Sequence, residues 1–142
     1  MTTVEFFVMS DPNPDAHLRH ACRVAEQAVE QGQKVFVRIG GAEEARRMDD
    51  LLWTFGDRSF LPHEIAGAES PTHARVRILI GEAPPREFCD LVINLAGDVP
   101  PNRDGIARIA EFVPNDAERK AAARERFKYY RASGVEPTTR NL

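Results

Sequence analysis

The chain has 142 residues, 42% of them hydrophobic and 29% charged, with a net charge of -3, so it has the size of one domain that can bury a core without disulfide or metal staples. That balance excludes a general attraction for nucleic acid, and any basic site has to be local. Its two cysteines lie in apolar patterns at Cys22 and Cys89, which argues for reduced, packed thiols in a cytoplasmic protein, and no apolar run approaches the ~18 residues of a membrane span.

In chain order, VEFFVM (Val4 to Met9) predicts a strand, and SDPNPD after it predicts a turn and a helix cap. A helix over Ala16 to Gln31 follows from the i, i+3, i+4 spacing of Leu18, Ala21, Cys22, Ala25, Ala28 and Val29, with Gly32 as its stop. KVFVRIG (Lys34 to Gly40) predicts a second strand. Residues 42 to 55 carry Ala45, Met48, Leu51, Leu52 and Phe55 on one stripe and six charged residues opposite, an amphipathic helix.

Beyond LLWTFGDRSFLPHEIAG and a Pro/Ser/Thr-bearing link (Ala68 to His73) come RVRILIG (Arg75 to Gly81), DLVINLA (Asp90 to Ala96) and IARIAEFVP (Ile106 to Pro114). These predict three further strands, with the apolar LVINL central. A last helix spans Asn115 to Ala132, capped by Asp116 or Asn115 and stopped by Gly134. The alternation predicts one doubly wound α/β domain, a parallel or mixed sheet with helices on both faces. Residues 135–142 are polar and are expected to form a flexible tail.

This fold invites an enzymatic reading that the motifs do not support. The turn after the first strand lacks glycine, and neither G-x-G-x-x-G nor G-x-x-x-x-G-K-[ST] is present. Gly40-Gly41 could place a helix N-terminus against an anion but reads first as an ordinary βα turn. His17, His20, His63 and His73 lack metal-ligand spacing, and Ser10, Ser59 and Ser70 lack a nucleophile elbow. His63-Glu64 reads as a loop-ordering pair before it reads as an acid and base. Function is therefore sought on the surfaces of the scaffold.

Two surfaces stand out. In residues 119–131 Arg119, Lys120, Arg124, Arg126, Lys128 and Arg131 face only Glu125, a net +5 that leaves -8 for the rest of the chain. At 100° per residue Lys120, Arg124, Phe127 and Arg131 share one face. That is either a solvated basic helix or a site for a ligand with carboxylates and an apolar side chain, because Arg presents a planar fork to a carboxylate. The second surface is Trp53 and Phe60, set around a polar turn, which are either covered by their own loop or anchors of a protein interface.

LLWTFGDRSFLPHEIAG together with EFVPNDAERKAAARERFKYYRASG closely resembles the chi-subunit family of bacterial DNA polymerase III, over the whole length of the chain. The resemblance implies a non-catalytic, Rossmann-like adaptor without nucleotide, cofactor or metal. It implies binding to the psi subunit, which tethers chi to the clamp loader, and to the acidic, Phe-terminated tail of single-stranded DNA-binding protein. By position it assigns Arg124 to the tail's terminal carboxylate, Lys120 and Arg131 to the upstream acids, and Phe127 to the wall of the phenylalanine pocket. Trp53 and Phe60 match the aromatics that face psi, or an accessory helicase in its place. Family members often carry Tyr where Phe127 stands, so a hydroxyl contact is expected to be missing. A direct single-stranded DNA-binding module using the same basic face and a nucleotide-dependent enzyme are the competing readings.

Overall fold

The computed structural model describes residues 2–13, 15–54, 63–65, 77–82, 90–100 and 106–142, without the side chains of 53–54 and 63–65. Its elements are β1 (Thr3–Val8), α1 (Ala16–Glu30), β2 (Val35–Arg38), α2 (Ala42–Thr54), β3 (His63–Ile65), β4 (Ile78–Gly81), β5 (Leu91–Asn94), β6 (Arg108–Val113), α3 (Ala117–Ala132) and β7 (Thr138–Asn141). They build a seven-stranded sheet in the order β3-β4-β2-β5-β6-β1-β7, and every pairing is parallel.

The inner strands are short and apolar because both of their faces are covered. Val35, Val37, Ile78, Ile80, Leu91 and Ile93 point to one side, where α1 contributes Leu18, Ala21, Cys22 and Ala25 and α2 contributes Ala45, Met48 and Leu52. Phe36, Leu79, Val92 and Ile109 point to the other, where α3 adds Ala123 and Tyr130 over Val4 and Phe6 of β1. The predicted doubly wound α/β architecture is thus present, with β5 at the centre of the sheet.

Helix ends follow local chemistry. Asp116 Oδ1 caps α3 by accepting the Arg119 N–H at 2.8 Å. The helix stops where Gly134 adopts φ +89 and the Val135 N–H returns to the Tyr130 carbonyl at 3.0 Å, a left-handed turn that favours glycine. Gly32, at φ +80, ends α1 likewise. Asp15, at the N-cap of α1, makes no side-chain capping bond and instead pairs with Arg47 of α2. Burial pushes the Cys22 thiol up to about 12, against a hydrogen bond from its own backbone and with a further push from Glu26, so Cys22 is an inert core thiol.

Two expectations are corrected. His63-Glu64 belongs to strand β3, paired parallel with β4, where the sequence suggested a loop. Residues 138–141 form β7 on β1 instead of a flexible tail. Their polar side chains are all exposed, so hydrophobic periodicity carries no signal there, and the strand is held by main-chain pairing and by the Leu142 N–H to Val8 carbonyl bond at 2.9 Å. Cys89 and Phe60 lie outside the described residues.

Candidate functional site

The orientation of α3 decides which of its side chains reach solvent. Its buried positions are Ala123, Arg126 and Tyr130, a stripe at helical spacing in which one member is cationic. Arg126 is only 6% exposed. Its Nε donates to Glu111 Oε1 of β6 at 3.0 Å, and its Nη1 donates to the Gly97 carbonyl at 3.0 Å. Glu111 also accepts from the Tyr130 hydroxyl at 2.6 Å and from Asn94 Nδ2 of β5 at 2.8 and 3.0 Å.

The chain of polar contacts continues across the strand ends. Asn94 Oδ1 accepts from Arg38 Nη1 of β2 at 3.1 Å, and Arg38 Nη2 reaches Asp98 at 2.7 Å. Burial pushes the Glu111 carboxyl up from the usual carboxylate range, against the opposing pull of Arg126 and of hydrogen bonds from Tyr130, Asn94 and Arg126. A carboxylate and a guanidinium hidden together with their hydrogen bonds satisfied fix the rotation and register of α3 on the sheet.

With that stripe turned inward, the neighbouring one faces the groove between α3 and the β1–β7 edge. There a cavity of about 500 Å³ is lined by Phe6, Val8, Val113, Ala123, Phe127 and Thr139, with Lys120, Arg124, Lys128 and Arg131 around it. The structure therefore brings the four sequence-predicted residues Lys120, Arg124, Phe127 and Arg131 into one concavity. Phe127 is half-buried and packs on Phe6 with ring centroids 5.4 Å apart.

The cations differ in how far they are engaged. Lys128 stands 3.6 Å from Glu125 and Arg131 3.8 Å from Glu136, all four side chains well exposed. Arg124 is exposed and Lys120 partly so, and among the described residues neither makes an ion pair. An apolar floor rimmed by cations accepts an apolar group joined to an anion, and a volume of this size is ordinary for ligand pockets, about 300–1,000 Å³.

Sequence reasoning missed Phe6, Val8, Val113 and Thr139 of this cavity, because they come from strands far apart in the chain. It also counted Arg126 with the solvated charges. The available signals were the acidic and amide side chains inside apolar strand runs, Glu111 in IAEFV and Asn94 in LVIN, which require buried partners.

A smaller cavity of about 120 Å³ lies at the strand ends between α2 and α3, lined by Gly40, Glu44, Gly97, Arg119 and Arg126 among others. The Gly40 N–H points to Glu44 Oε2 at 3.4 Å, so the helix terminus that the Gly40-Gly41 pair opens is met by its own carboxylate. Of the second predicted surface, Trp53 lies in α2 with its side chain not described, and Phe60 is outside the described residues. Among the described residues no cluster of His, Cys, Asp or Glu is placed to hold a metal, and no described helix is long and apolar enough to cross a membrane.

Comparison with known proteins places this geometry. The fold is similar to that of T4 UvsW, with a TM-score of 0.69 at 9% identity over 99% of this chain and 41% of that one. It is also similar to the C-terminal domain of the DEAD-box protein Dbp5, with a TM-score of 0.64 at 14% identity over 98% and 91% of the two chains. At such identities these likenesses speak for the α/β fold alone.

Sequence relatives are more telling. The DNA polymerase III subunit chi of Pseudomonas aeruginosa is 37% identical over 94% of this chain and 92% of its own length. The chi subunit of Haemophilus influenzae is 29% identical over 99% and 97%, and that of Escherichia coli 29% over 83% and 80%. The family model described as DNA polymerase III chi subunit, HolC, matches residues 1–138. The chain belongs to the DNA polymerase III chi subunit family, a component of the DNA replication machinery.

Proposed function

We propose that this chain is a non-catalytic, cytoplasmic adaptor that joins the clamp loader, through the psi subunit, to the C-terminal tail of single-stranded DNA-binding protein. The observation that carries the reading is the cavity between α3 and the sheet edge, where Lys120, Arg124, Phe127 and Arg131 converge on an apolar floor. A chain terminus ending in phenylalanine supplies both halves of the complement: a ring for the floor formed with Phe6 and Phe127, and a carboxylate for the fork of Arg124. Lys120 and Arg131 attract acids upstream of the terminus, with Arg131 giving up its long contact to Glu136.

No bond is made or broken in this mechanism. A flexible tail carried in several copies by one oligomer gains avidity from effective concentration, so a single pocket of modest affinity is sufficient. Trp53 and Phe60 are assigned to psi, or to an accessory helicase in its place.

The test is a calorimetric titration of the full chain with an acidic peptide ending in free phenylalanine, beside the same peptide with an amidated terminus. The free acid is expected to bind at least about tenfold more tightly, the value of one charge-assisted hydrogen bond. Equal binding of the two peptides refutes the role of the carboxylate. Tighter binding of a single-stranded oligonucleotide than of the peptide favours a direct DNA-binding module instead.

A further inference from the structure

We propose that the peptide segment upstream of the captured terminus lies along β7 as an added, eighth strand of the sheet. The inference rests on the tail-binding reading of the α3 cavity and adds the path of the bound chain.

The cavity's outer wall is Thr139, and Thr139 belongs to the last strand of the sheet. A chain leaving the pocket away from α3 therefore crosses the edge of β7. Alternation in a parallel pair fixes what it meets there. The Leu142 N–H donates to the Val8 carbonyl, and the Leu142 carbonyl accepts from the Ser10 N–H at 3.0 Å. By the two-residue period, Arg140 also turns its N–H and C=O toward β1, while Thr139 and Asn141 turn theirs outward. No described strand pairs with that edge.

Two outward donor–acceptor sets spaced ~6.7 Å apart match the repeat of an extended peptide. The edge also lacks most devices that block strand addition. Between Thr138 and Asn141 there is no proline and no lysine, and its one charged residue, Arg140, packs over the Phe7 ring at 5.6 Å and reaches Glu5 at 3.5 Å, on the side of the sheet away from the cavity. What protects it is shortness, so a partner needs an anchor next to the edge, and the cavity beside Thr139 provides one.

The chemistry of the occupant follows from charge. Lys120, Arg124, Lys128 and Arg131 rim the anchor, so the strand that docks is the acidic, extended end of a polypeptide with a free carboxyl terminus.

The experiment is amide hydrogen exchange by NMR on the full chain, with and without a saturating acidic peptide of about ten residues ending in free phenylalanine, joined to a calorimetric scan of N-methylated versions of that peptide. Exchange at Thr139 and Asn141 is expected to slow at least about tenfold, and N-methylation is expected to weaken binding at every second peptide position, as a one-sided ladder demands. Asn141→Pro, which removes an outward N–H and leaves those of Arg140 and Leu142 for β1, is expected to weaken the peptide about two- to tenfold.

Unchanged exchange at Thr139 and Asn141, or N-methyl effects without alternation, overturns the added strand while a persisting preference for the free carboxylate leaves the anchoring site intact. Loss of that preference brings down both. Protection of the same two amides without peptide, in a chain that sediments as a dimer, assigns the edge to a second copy and likewise overturns the proposal.

Discussion

Arg124 and Arg126 stand two positions apart on α3 and face opposite sides of it. Arg126 is buried against Glu111 at 3.0 Å, whereas Arg124 lines an open cavity. Two residues along a helix amount to a turn of 200°, so one cation holds the helix in place and the other reaches solvent at the groove.

Arg124→Ala is expected to weaken binding of the free-acid tail peptide by at least about tenfold, a loss of roughly 1.5–3 kcal/mol, while thermal stability stays at the parental value. The residual affinity should depend less on salt than that of the parent, because exposed charges are screened within ~8 Å at physiological ionic strength. Calorimetry at two salt concentrations, together with a melting curve, checks both statements.

Arg126→Met should act on the fold instead. It strands the fully buried Glu111 carboxylate, and breaking one side of a buried pair costs about 3–5 kcal/mol. Adding Glu111→Gln to Arg126→Met should recover a large part of that loss, since the remaining amide no longer requires a countercharge. Chemical denaturation of Arg126→Met, Glu111→Gln and the double variant measures the coupling, and additive losses would contradict it.

Trp53→Ala is expected to weaken association with psi by ~2 kcal/mol or more, as for a buried aromatic anchor, and to leave tail binding unchanged. Co-expression with psi followed by affinity purification tests the first part, and peptide titration of the same variant tests the second. Parental recovery of psi would remove Trp53 from that surface.

His20 gives the chain a pH dependence of predictable sign. Its ring packs against Phe7 and Phe112 at 5.7 and 5.9 Å, and burial, then Arg23 and Arg140, lower its pKa below the usual 6.5. Above pH 6.5 the ring is neutral in both states and the fold is unaffected. As pH falls below that value the unfolded chain takes up the proton first, so stability declines until the folded ring is protonated as well. His20→Gln should flatten this decline in denaturation curves collected below pH 6.5.

The legible parts of the molecule were those written as periodic burial. VFVR, ILIG and LVIN announce strands covered on both faces, and the stripe Leu18, Ala21, Cys22, Ala25 announces α1. The stripe Lys120, Arg124, Phe127, Arg131 was equally readable, because one helix brings it together without help from the rest of the chain. What eluded periodicity was made by partners distant in sequence. The polar run PTTRN carries no burial signal, so β7 was invisible until β1 offered its edge. Arg126 reads as one more surface cation until Glu111 and Asn94 are known to lie beneath it. Phe6 and Thr139 meet the basic stripe only through the order of the strands.

The pairing of β7 with β1 has one further consequence. Ser10 and Leu142, bonded through the Leu142 carbonyl, are 132 residues apart in sequence, and the strand they secure has four residues. A four-residue edge strand with exposed side chains regains the conformational entropy of its own residues when it peels away and forfeits little buried surface, which makes it a natural first site of local opening. Since the same strand walls the groove, occupancy and the opening of β7 are thermodynamically linked: a guest that grips Thr139 also fastens the strand it rests on.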